Sequence, residues 1–335
     1  MHLLVTGGAG FIGSNFIHYT FAKNPDWRIT NLDKLTYAGN LANLDGITER
    51  EGYEFVQGDI ADATLVQPLI ERADIVVNFA AETHVDRSIE DPGQFILTDV
   101  YGTFVLLEAI RRCERPRLFI QISTDEVYGS IATGSASETS PLDPRNPYSA
   151  SKAGADRLAY SYFTTYGVPS IVTRASNNYG PRQYPEKLIP LFVTNALEDL
   201  PLPLYGDGAQ VRDWLHVDDH CQALLHLIEH GAPGETYNIG GGNERSNLEL
   251  TERILNLLGK PSELIQRVKD RPGHDRRYSL STRKLEELGW SPAVDFEAGL
   301  SNTIEWYQNR PDWWQPIKQR DPEYRRFYEA NYRGR

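Results

Sequence analysis

Cysteine is scarce in this chain, and its scarcity excludes the structural classes that depend on it. The 335 residues include two cysteines, Cys113 and Cys221, and no CxxC or paired spacing accompanies them. Neither a disulfide framework nor a cysteine-based zinc site is therefore expected. We predict two free thiols in a reducing compartment.

Basic residues and long apolar runs are also in short supply. Lys and Arg number 34 against 46 for Asp and Glu, which gives a net charge of -12. Such a surface repels nucleic acids and anionic membranes, although a few local Arg and Lys residues can still bind one phosphorylated metabolite. No apolar run approaches the roughly 20 residues of a bilayer-spanning helix, and the N-terminus lacks the pattern of a signal peptide. We expect a soluble, cytoplasmic protein without nucleic-acid or membrane partners.

Short apolar runs alternate with longer helical patterns through the first half of the chain. This alternation is typical of a parallel sheet covered on both faces, and the length of 335 residues suits a large core plus a smaller lobe. The predicted fold is α/β, a Rossmann-type doubly wound parallel sheet with a smaller C-terminal α/β lobe. Strands are predicted at 2–6, 27–32, 53–56, 75–79, 118–122 and 170–173, with helices starting near Phe11 and covering 100–112 and 149–166.

Glycine and proline disturb this alternation after Asn178. We place the first domain at residues 1–178, rejoined by about 211–240, and a second lobe mainly at 179–335. Three tryptophans near the C-terminus, Trp306, Trp313 and Trp314, lie among charged residues and predict a packed terminal helix.

A glycine-rich turn follows the first predicted strand. Gly7, Gly10 and Gly13 have the spacing G-x-x-G-x-x-G at the start of a helix, where the backbone can approach a pyrophosphate closely. Asp33 follows Gly13 by 20 residues at the end of the second apolar run, where its carboxylate can accept hydrogen bonds from adenosine ribose hydroxyls. The pattern predicts a dinucleotide site. A carboxylate at this position repels the 2'-phosphate of NADP, so NAD is the predicted cofactor.

A tyrosine and a lysine lie four residues apart at the start of the helix predicted at 149–166. Tyr148 and Lys152 therefore share one helix face. Lowering the pKa of a phenol by one unit takes about 1.4 kcal/mol, and Lys152 together with an oxidised nicotinamide can supply positive charge for this. Tyr148 could then remove a hydroxyl proton while hydride leaves the same carbon.

These motifs resemble the extended short-chain dehydrogenase/reductase superfamily, and within it the dTDP-glucose 4,6-dehydratases of the nucleotide-sugar branch. The resemblance extends from residue 1 to about residue 317. The segments that carry it are DKLTYAGN at 33–40, ETHVDRS at 82–88, STDEVYG at 123–129, NNYGP at 177–181, PEKLIP at 185–190 and DRPGHD at 270–275.

The acidic pair Asp125 and Glu126 distinguishes this family from its relatives. Epimerases and decarboxylases of the same fold have a small or hydroxyl residue at one or both positions, whereas two carboxyl groups in different environments can serve as one acid and one base. The resemblance implies that Glu126 removes a proton from C5, that Asp125 protonates the departing C6 hydroxyl, and that Thr124 bonds the C4 oxygen. Hydride would pass from C4 to NAD and back to C6, leaving a 4-keto-6-deoxy sugar and regenerated NAD.

The resemblance also implies binding residues, which make 1–178 the NAD-binding domain and the second lobe the nucleotide-sugar site. Lys187 and Arg212 are basic residues expected near the substrate diphosphate. The cofactor residues are Gly7, Gly10, Phe11, Ile12, Gly13, Asp33, Lys34, Leu35, Thr36, Asp59, Ile60, Phe79, Ala80, Ala81, Thr98, Tyr148, Lys152 and Asn178. The substrate residues are Thr83, Thr124, Asn177, Lys187, Leu188, Pro203, Tyr205, Arg212, Asn247, Asp270, Arg271 and His274. No metal is needed, and a homodimer paired through the two long helices is expected.

Two other functions use the same motifs. One is a different nucleotide-sugar enzyme, such as a UDP-sugar dehydratase, epimerase or decarboxylase, and intact Asp125 and Glu126 argue against the last two. The other is a non-catalytic dinucleotide sensor, which would be expected to have lost Tyr148 or Lys152. The sequence leaves open thymidine against uridine, and surface polysaccharide against secondary-metabolite deoxysugars.

Overall fold

The structure is a computed structural model that describes residues 1–113, 115–270 and 273–332. Its strands are β1 (His2–Thr6), β2 (Arg28–Asp33), β3 (Tyr53–Gln57), β4 (Ile75–Asn78), β5 (Leu118–Thr124), β6 (Ser170–Ala175), β7 (Asn177–Tyr179), β8 (Leu202–Tyr205), β9 (Val211–His216), β10 (Thr236–Ile239), β11 (Glu244–Ser246) and β12 (Ile265–Val268).

The helices cover both faces of the main sheet and most of the second lobe. They are α1 (Phe11–Lys23), α2 (Ala63–Ile70), α3 (Val85–Glu90), α4 (Pro92–Phe95), α5 (Thr103–Cys113), α6 (Pro147–Tyr166), α7 (Leu188–Leu197), α8 (Val217–His230), α9 (Asn247–Leu258), α10 (Arg283–Glu287), α11 (Phe296–Asn309), α12 (Pro311–Arg320) and α13 (Pro322–Tyr332). A π-helical segment, Ile96–Gly102, joins α4 to α5, and 3-10 turns form at Leu41–Leu44, Asp125–Tyr128 and Ser262–Leu264.

The main sheet has seven parallel strands in the order β3-β2-β1-β4-β5-β6-β10. Its two faces bury separate apolar clusters, one beneath α1 and α8 and the other beneath α2, α5 and α6. Strands covered on both faces are rich in apolar residues, as in β4, where Ile75, Val76 and Val77 precede Asn78 and every residue is buried. The predicted doubly wound fold is confirmed.

The carboxyl ends of these strands place several polar residues at one edge of the sheet. The strand order reverses between β1 and β4, and ligands of doubly wound folds bind in the crevice at such a point. Thr6, Asp33 and Asn78 close β1, β2 and β4 there. Thr124 closes β5 two residues beyond the predicted end, immediately before Asp125.

Beyond β6 the chain forms a second lobe that contains two small sheets, β11-β9-β7 and β12-β8. They pack with α7, α9, α11 and α12 around a third apolar cluster that includes Trp313 and Trp314, which are 4% and 3% exposed. The predicted packed terminal helix is therefore present. The chain returns to the main sheet at β10, and α8 packs against α1.

One helical stretch corrects the expectation about apolar runs. Residues Pro92–Cys113 form 22 consecutive helical residues that are long and apolar enough, by length and composition, to cross a membrane. Half of this stretch is buried in the protein, in contact with α2 and α6, as in the core helix of a folded domain. Its other side leaves Ile96, Leu97, Tyr101 and Phe104 exposed.

Candidate active site

The glycine turn between β1 and α1 leaves no room for side chains. Gly7 has a φ of +68°, and a Cβ there would lie 2.6 Å from the backbone nitrogen of Ala80. A Cβ at Gly13 would lie 2.4 Å from the carbonyl oxygen of Gly7. Helix α1 begins after Gly10 without a side-chain cap or an acidic residue in its first turn. Its first N–H groups are free for an anion, which fits the pyrophosphate of a dinucleotide.

Asp33 lies at the end of β2 beside this turn. Its Oδ2 accepts a hydrogen bond from the Ala9 N–H at 2.8 Å, and its Oδ1 accepts one from Leu35 at 2.8 Å. Burial raises the pKa of this carboxyl group. Lys34 is engaged elsewhere, because its Nζ lies 2.8 Å from Asp59 Oδ2. Lys34 is therefore already paired and does not offer its charge to a 2'-phosphate. The Asp33 carboxylate can accept hydrogen bonds from ribose hydroxyls, which fits NAD.

Helix α6, which carries Tyr148 and Lys152, begins at a well-capped N-terminus. The side chain of Asn146 accepts a hydrogen bond from the Ser149 N–H, the Ser149 side chain bonds back to the Asn146 backbone, and Pro147 occupies the first turn. Tyr148 and Lys152 then both line the cleft one turn apart. The Lys152 ammonium donates to the Ile122 carbonyl oxygen at 2.7 Å, which fixes the lysine beneath the end of β5.

The groups of the protein alone do not activate the Tyr148 phenol. Burial in the cleft, then Glu126 and Asp99, raise its pKa well above the ordinary value, and a hydrogen bond with Thr124 opposes them. Burial also lowers the pKa of Lys152, against the pull of Asp99 and Asp156. The raised pKa is the reverse of the direction expected for the working site. An oxidised nicotinamide bound beside the phenol would supply the positive charge that opposes this shift.

The acidic pair occupies a 3-10 turn directly after β5. The Thr124 hydroxyl accepts from the Glu126 N–H at 3.3 Å and donates to Asp125 Oδ1 at 3.1 Å. Asp125 is 3% exposed. Burial, and next the neighbouring Glu126, raise its pKa well above the usual range, and Arg212 opposes them. The raised pKa favours the protonated form of Asp125, and this is the form in which a carboxyl group can donate a proton.

Several buried polar atoms on the cleft wall have no hydrogen-bond partner among the described residues. An unsatisfied buried group costs about 1–3 kcal/mol, so these atoms mark where a polar ligand is expected to bind. They are Ser123 Oγ, Asp125 Oδ2, Ser176 Oγ, Asn177 Oδ1, Trp214 Nε1, His220 Nε2 and Asn247 Oδ1.

The cleft has a volume of about 410 Å³ and collects residues from both lobes. Of the predicted cofactor residues, all except Leu35 line it. Of the predicted substrate residues, Thr83, Thr124, Asn177, Lys187, Leu188, Pro203, Tyr205, Arg212, Asn247 and His274 line it. Asp270 lies behind the wall, bonded to His274 Nδ1 at 2.6 Å, and Arg271 falls outside the described residues.

Basic residues of the substrate side are held by polar contacts. Lys187 Nζ donates to the Thr83 hydroxyl at 3.1 Å. The Arg212 guanidinium donates to the Val211 and Asp275 carbonyl oxygens at 2.8 and 3.0 Å. Among the residues that the structure describes, no group of three or more His, Cys, Asp or Glu side chains could hold a metal ion.

Some lining residues are absent from the sequence prediction. His220 is fully buried and bonds the side chain of Asn178 at 2.9 Å, and Glu186 directly precedes the predicted substrate residue Lys187. Tyr332, on α13, lies 5.9 Å from the Tyr205 ring. The resemblance ends near residue 317, so it carried no signal for Tyr332, whereas Glu186 lies inside the PEKLIP segment at 185–190. Others in this group are Glu82, His84, Asp86, Gln183, Tyr184 and Trp214.

Comparisons with known proteins agree with this geometry. The family model described as GDP-mannose 4,6 dehydratase matches residues 4–303. A dTDP-glucose 4,6-dehydratase from Streptomyces antibioticus is 53% identical over 327 residues, covering 96% of each chain, and one from Salmonella typhimurium is 46% identical over the full length of both. The crystal structure of the dTDP-glucose 4,6-dehydratase DesIV from Streptomyces venezuelae, with NAD and TYD bound, has a TM-score of 0.93 at 50% identity and covers 95% of this chain and 100% of that one. The chain therefore belongs to the dTDP-glucose 4,6-dehydratase family.

Proposed function

We propose that this chain converts dTDP-glucose to dTDP-4-keto-6-deoxyglucose as an NAD-dependent hydro-lyase. The observation that carries the proposal is the acidic pair. Asp125, with a raised pKa, lies beside Glu126 at the end of β5, and both line the cleft that contains the glycine turn and Tyr148. Simple oxidation needs no such pair, whereas elimination of water needs an acid and a base.

The residues divide the proton transfers among them. NAD held by the glycine turn and Asp33 would supply a hydride acceptor for C4, a hydride donor for C6 and a positive charge that favours the Tyr148 phenolate. Tyr148 removes the proton of the C4 hydroxyl, while Thr124 hydrogen-bonds the C4 oxygen. The C4 ketone acidifies C5, so Glu126 can take the C5 proton and Asp125 can protonate the C6 hydroxyl, which leaves as water.

Thr124 also has a role in restoring the protonation states of the site after each turnover. Glu126 returns its proton to C5, but Tyr148 ends with one proton more and Asp125 with one fewer. The Thr124 hydroxyl donates to Asp125 Oδ1 at 3.1 Å, and its influence on the Tyr148 phenol, whose pKa it lowers, puts it close to that group as well. A proton can therefore pass from Tyr148 to Asp125 through Thr124 and reset the site.

We assign the substrate diphosphate to Lys187 and Arg212, with the nucleotide against Asn177, Asn247 and Tyr205. The remaining predicted substrate residues surround it, with residues 1–178 and about 211–240 as the NAD-binding domain and mainly 179–335 as the nucleotide-sugar lobe. The support is their position on one cleft together with unsatisfied amide oxygens on Asn177 and Asn247.

Separate incubations with dTDP-glucose and UDP-glucose test the proposal. We expect loss of one water from dTDP-glucose, followed by mass spectrometry, with little turnover of UDP-glucose. Faster dehydration of UDP-glucose would overturn the nucleotide assignment. An isomerised sugar of unchanged mass would overturn the reaction itself.

We further propose a cytoplasmic homodimer. Exposed apolar side chains of the Ile96–Gly102 segment and the start of α5 lie next to α6, which exposes Tyr160 and Tyr166. Such a contiguous apolar face is typical of a protein interface, and the family pairs these helices between subunits.

A further inference from the structure

A buried tyrosine lies behind the base of the reaction. Tyr278 is 3% exposed and does not line the cleft. Its hydroxyl lies 2.8 Å from Asp275 Oδ2 and 3.4 Å from Glu126 Oε2. One phenol therefore bridges the carboxylate assigned as the base and a second carboxylate that is 5% exposed.

The surroundings hold this phenol in place. The Arg212 guanidinium lies over the Tyr278 ring, 4.3 Å from its centroid, and also donates to the Asp275 carbonyl oxygen at 3.0 Å. The Tyr278 N–H donates to the Val211 carbonyl oxygen at 3.3 Å. These contacts hold the Tyr278 ring, its backbone and Asp275 together and keep the hydroxyl facing Glu126.

A phenol can donate one hydrogen bond and accept another, and this matches the two states of the base. While Glu126 is ionised, the Tyr278 hydroxyl can donate to it. When Glu126 has taken the C5 proton, it can donate to the phenol oxygen, and the phenol hydrogen then points to Asp275. The Tyr278 hydroxyl is within hydrogen-bonding distance of both carboxylates at once.

We propose that Tyr278, supported by Asp275, is a positioning residue for Glu126 in the elimination step. The inference rests on the proposed function. In that step the C5–H bond breaks, its proton moves to Glu126, and its electron pair moves towards the C4 carbonyl and then expels the C6 hydroxyl, which leaves with the proton of Asp125. Tyr278 keeps the receiving oxygen of Glu126 oriented before and after the transfer and gives up no proton.

The variant Tyr278→Phe tests this, because it keeps the ring under Arg212 and removes only the hydroxyl. Single turnovers of the NAD-loaded enzyme with dTDP-glucose are followed by NADH absorbance. The rise, which reports C4 oxidation, is expected at the wild-type rate, and the decay is expected to slow by about tenfold or more. The value of kcat should fall at unchanged KM, and C5-deuterated substrate should give a larger isotope effect than in the wild type.

Tyr237→Phe is the matched control, because Tyr237 is 4% exposed, its hydroxyl accepts from the Ala232 N–H, and it lies away from the cleft. The positioning role is overturned if NADH absorbance in Tyr278→Phe decays at the wild-type rate. It is also overturned if the rise and the decay of that absorbance slow by the same factor. If Tyr278→Phe does not fold, Asp275→Asn carries the test, with a slower decay expected and wild-type decay overturning the role. Wild-type enzyme that does not dehydrate dTDP-glucose would instead overturn the proposed function.

Discussion

Asp125 and Glu126 are neighbours in the chain, yet their side chains occupy different environments. Asp125 is fully enclosed and has a strongly raised pKa, whereas Glu126 is partly exposed to the cleft and lies within reach of Tyr278. Two carboxyl groups in different environments can act as acid and base at one pH. The turn after β5 creates this difference within two residues.

Replacing the base separates oxidation from elimination. We expect Glu126→Gln to keep C4 oxidation and to lower the overall rate by at least about 100-fold, because the amide cannot take the C5 proton. NADH absorbance should rise and stay high, and mass spectrometry should show little loss of water. Glu297→Gln, at an exposed ion pair with Arg253, is the control. Unimpaired turnover in Glu126→Gln would show that Glu126 is not the base that takes the C5 proton.

Asp99 is a second buried carboxyl group, and its contribution to the free energy of unfolding depends on pH. It is 1% exposed, accepts hydrogen bonds from the Ser151 hydroxyl and the Glu82 N–H, and lies near Lys152. Burial raises its pKa from 3.8 to about 6. A raised pKa in the folded state means that the folded protein holds this proton more tightly than the unfolded chain. The contribution of Asp99 to stability is therefore present at low pH and lost as pH rises from about 4 to 6.

The variant Asp99→Asn removes that titration. Its free energy of unfolding should match the wild type at pH 4 and exceed it at pH 7.5 by up to about 3 kcal/mol, at about 1.4 kcal/mol for each pKa unit. Urea unfolding at several pH values measures the difference between the two proteins, in which the other titrating groups cancel. Parallel curves across this range would show that Asp99 does not titrate as described.

Among the elements, one buried ion pair ties three segments around the cleft. Glu186, 2% exposed, accepts from Arg87 Nε at 3.0 Å and from the Tyr37 hydroxyl at 2.8 Å. The Arg87 guanidinium also lies over the Tyr37 ring, 3.7 Å from its centroid. Tyr37 belongs to the cofactor loop after Asp33, and Glu186 precedes Lys187. The cluster therefore connects the cofactor side of the cleft to the substrate side.

Breaking this cluster should loosen the cofactor as well as the fold. Glu186→Gln removes the buried carboxylate that pairs with Arg87 at 3.0 Å and leaves only the exposed Glu323 at 3.6 Å. We expect a loss of about 3 kcal/mol in unfolding free energy. The NAD content of the purified protein should fall with it, measured by absorbance after denaturation. Arg253→Met, at an exposed pair, should cost less than about 1 kcal/mol and keep its NAD. Full NAD occupancy in Glu186→Gln would contradict the link between the two sides.

The predictable elements were those whose pattern is local. Strand β1 was predicted with its observed limits because Leu3, Leu4 and Val5 are buried on both faces. The helix predicted at 100–112 starts earlier in the structure. The prediction missed its first turns because the apolar residues Ile96 and Leu97 point away from the core and do not follow the expected helical pattern. The contact between Tyr278 and Glu126 joins residues 152 positions apart. No spacing in the sequence encodes such a contact.

At the scale of the whole molecule, the exposed apolar face is the feature that a single chain does not explain. The protein carries a net charge of -12, yet Ile96, Leu97, Tyr101 and Phe104 are 38–54% exposed on one helical stretch. Burying one large apolar side chain is worth about 1.5–3 kcal/mol. A second copy of the chain could bury this face without placing its acidic surface against an anionic membrane.

Charged residues on this face should therefore separate the subunits. We expect the wild type to be a dimer by light scattering after size exclusion, and the double variant Leu97→Glu/Phe104→Glu to be a monomer. Losing two buried apolar side chains, about 3–6 kcal/mol, raises the dissociation constant by at least about 100-fold. Leu257→Glu, at an exposed leucine on α9, should stay dimeric. A monomeric wild type that floats with lipid vesicles, and a double variant that does not, would assign the face to a membrane instead.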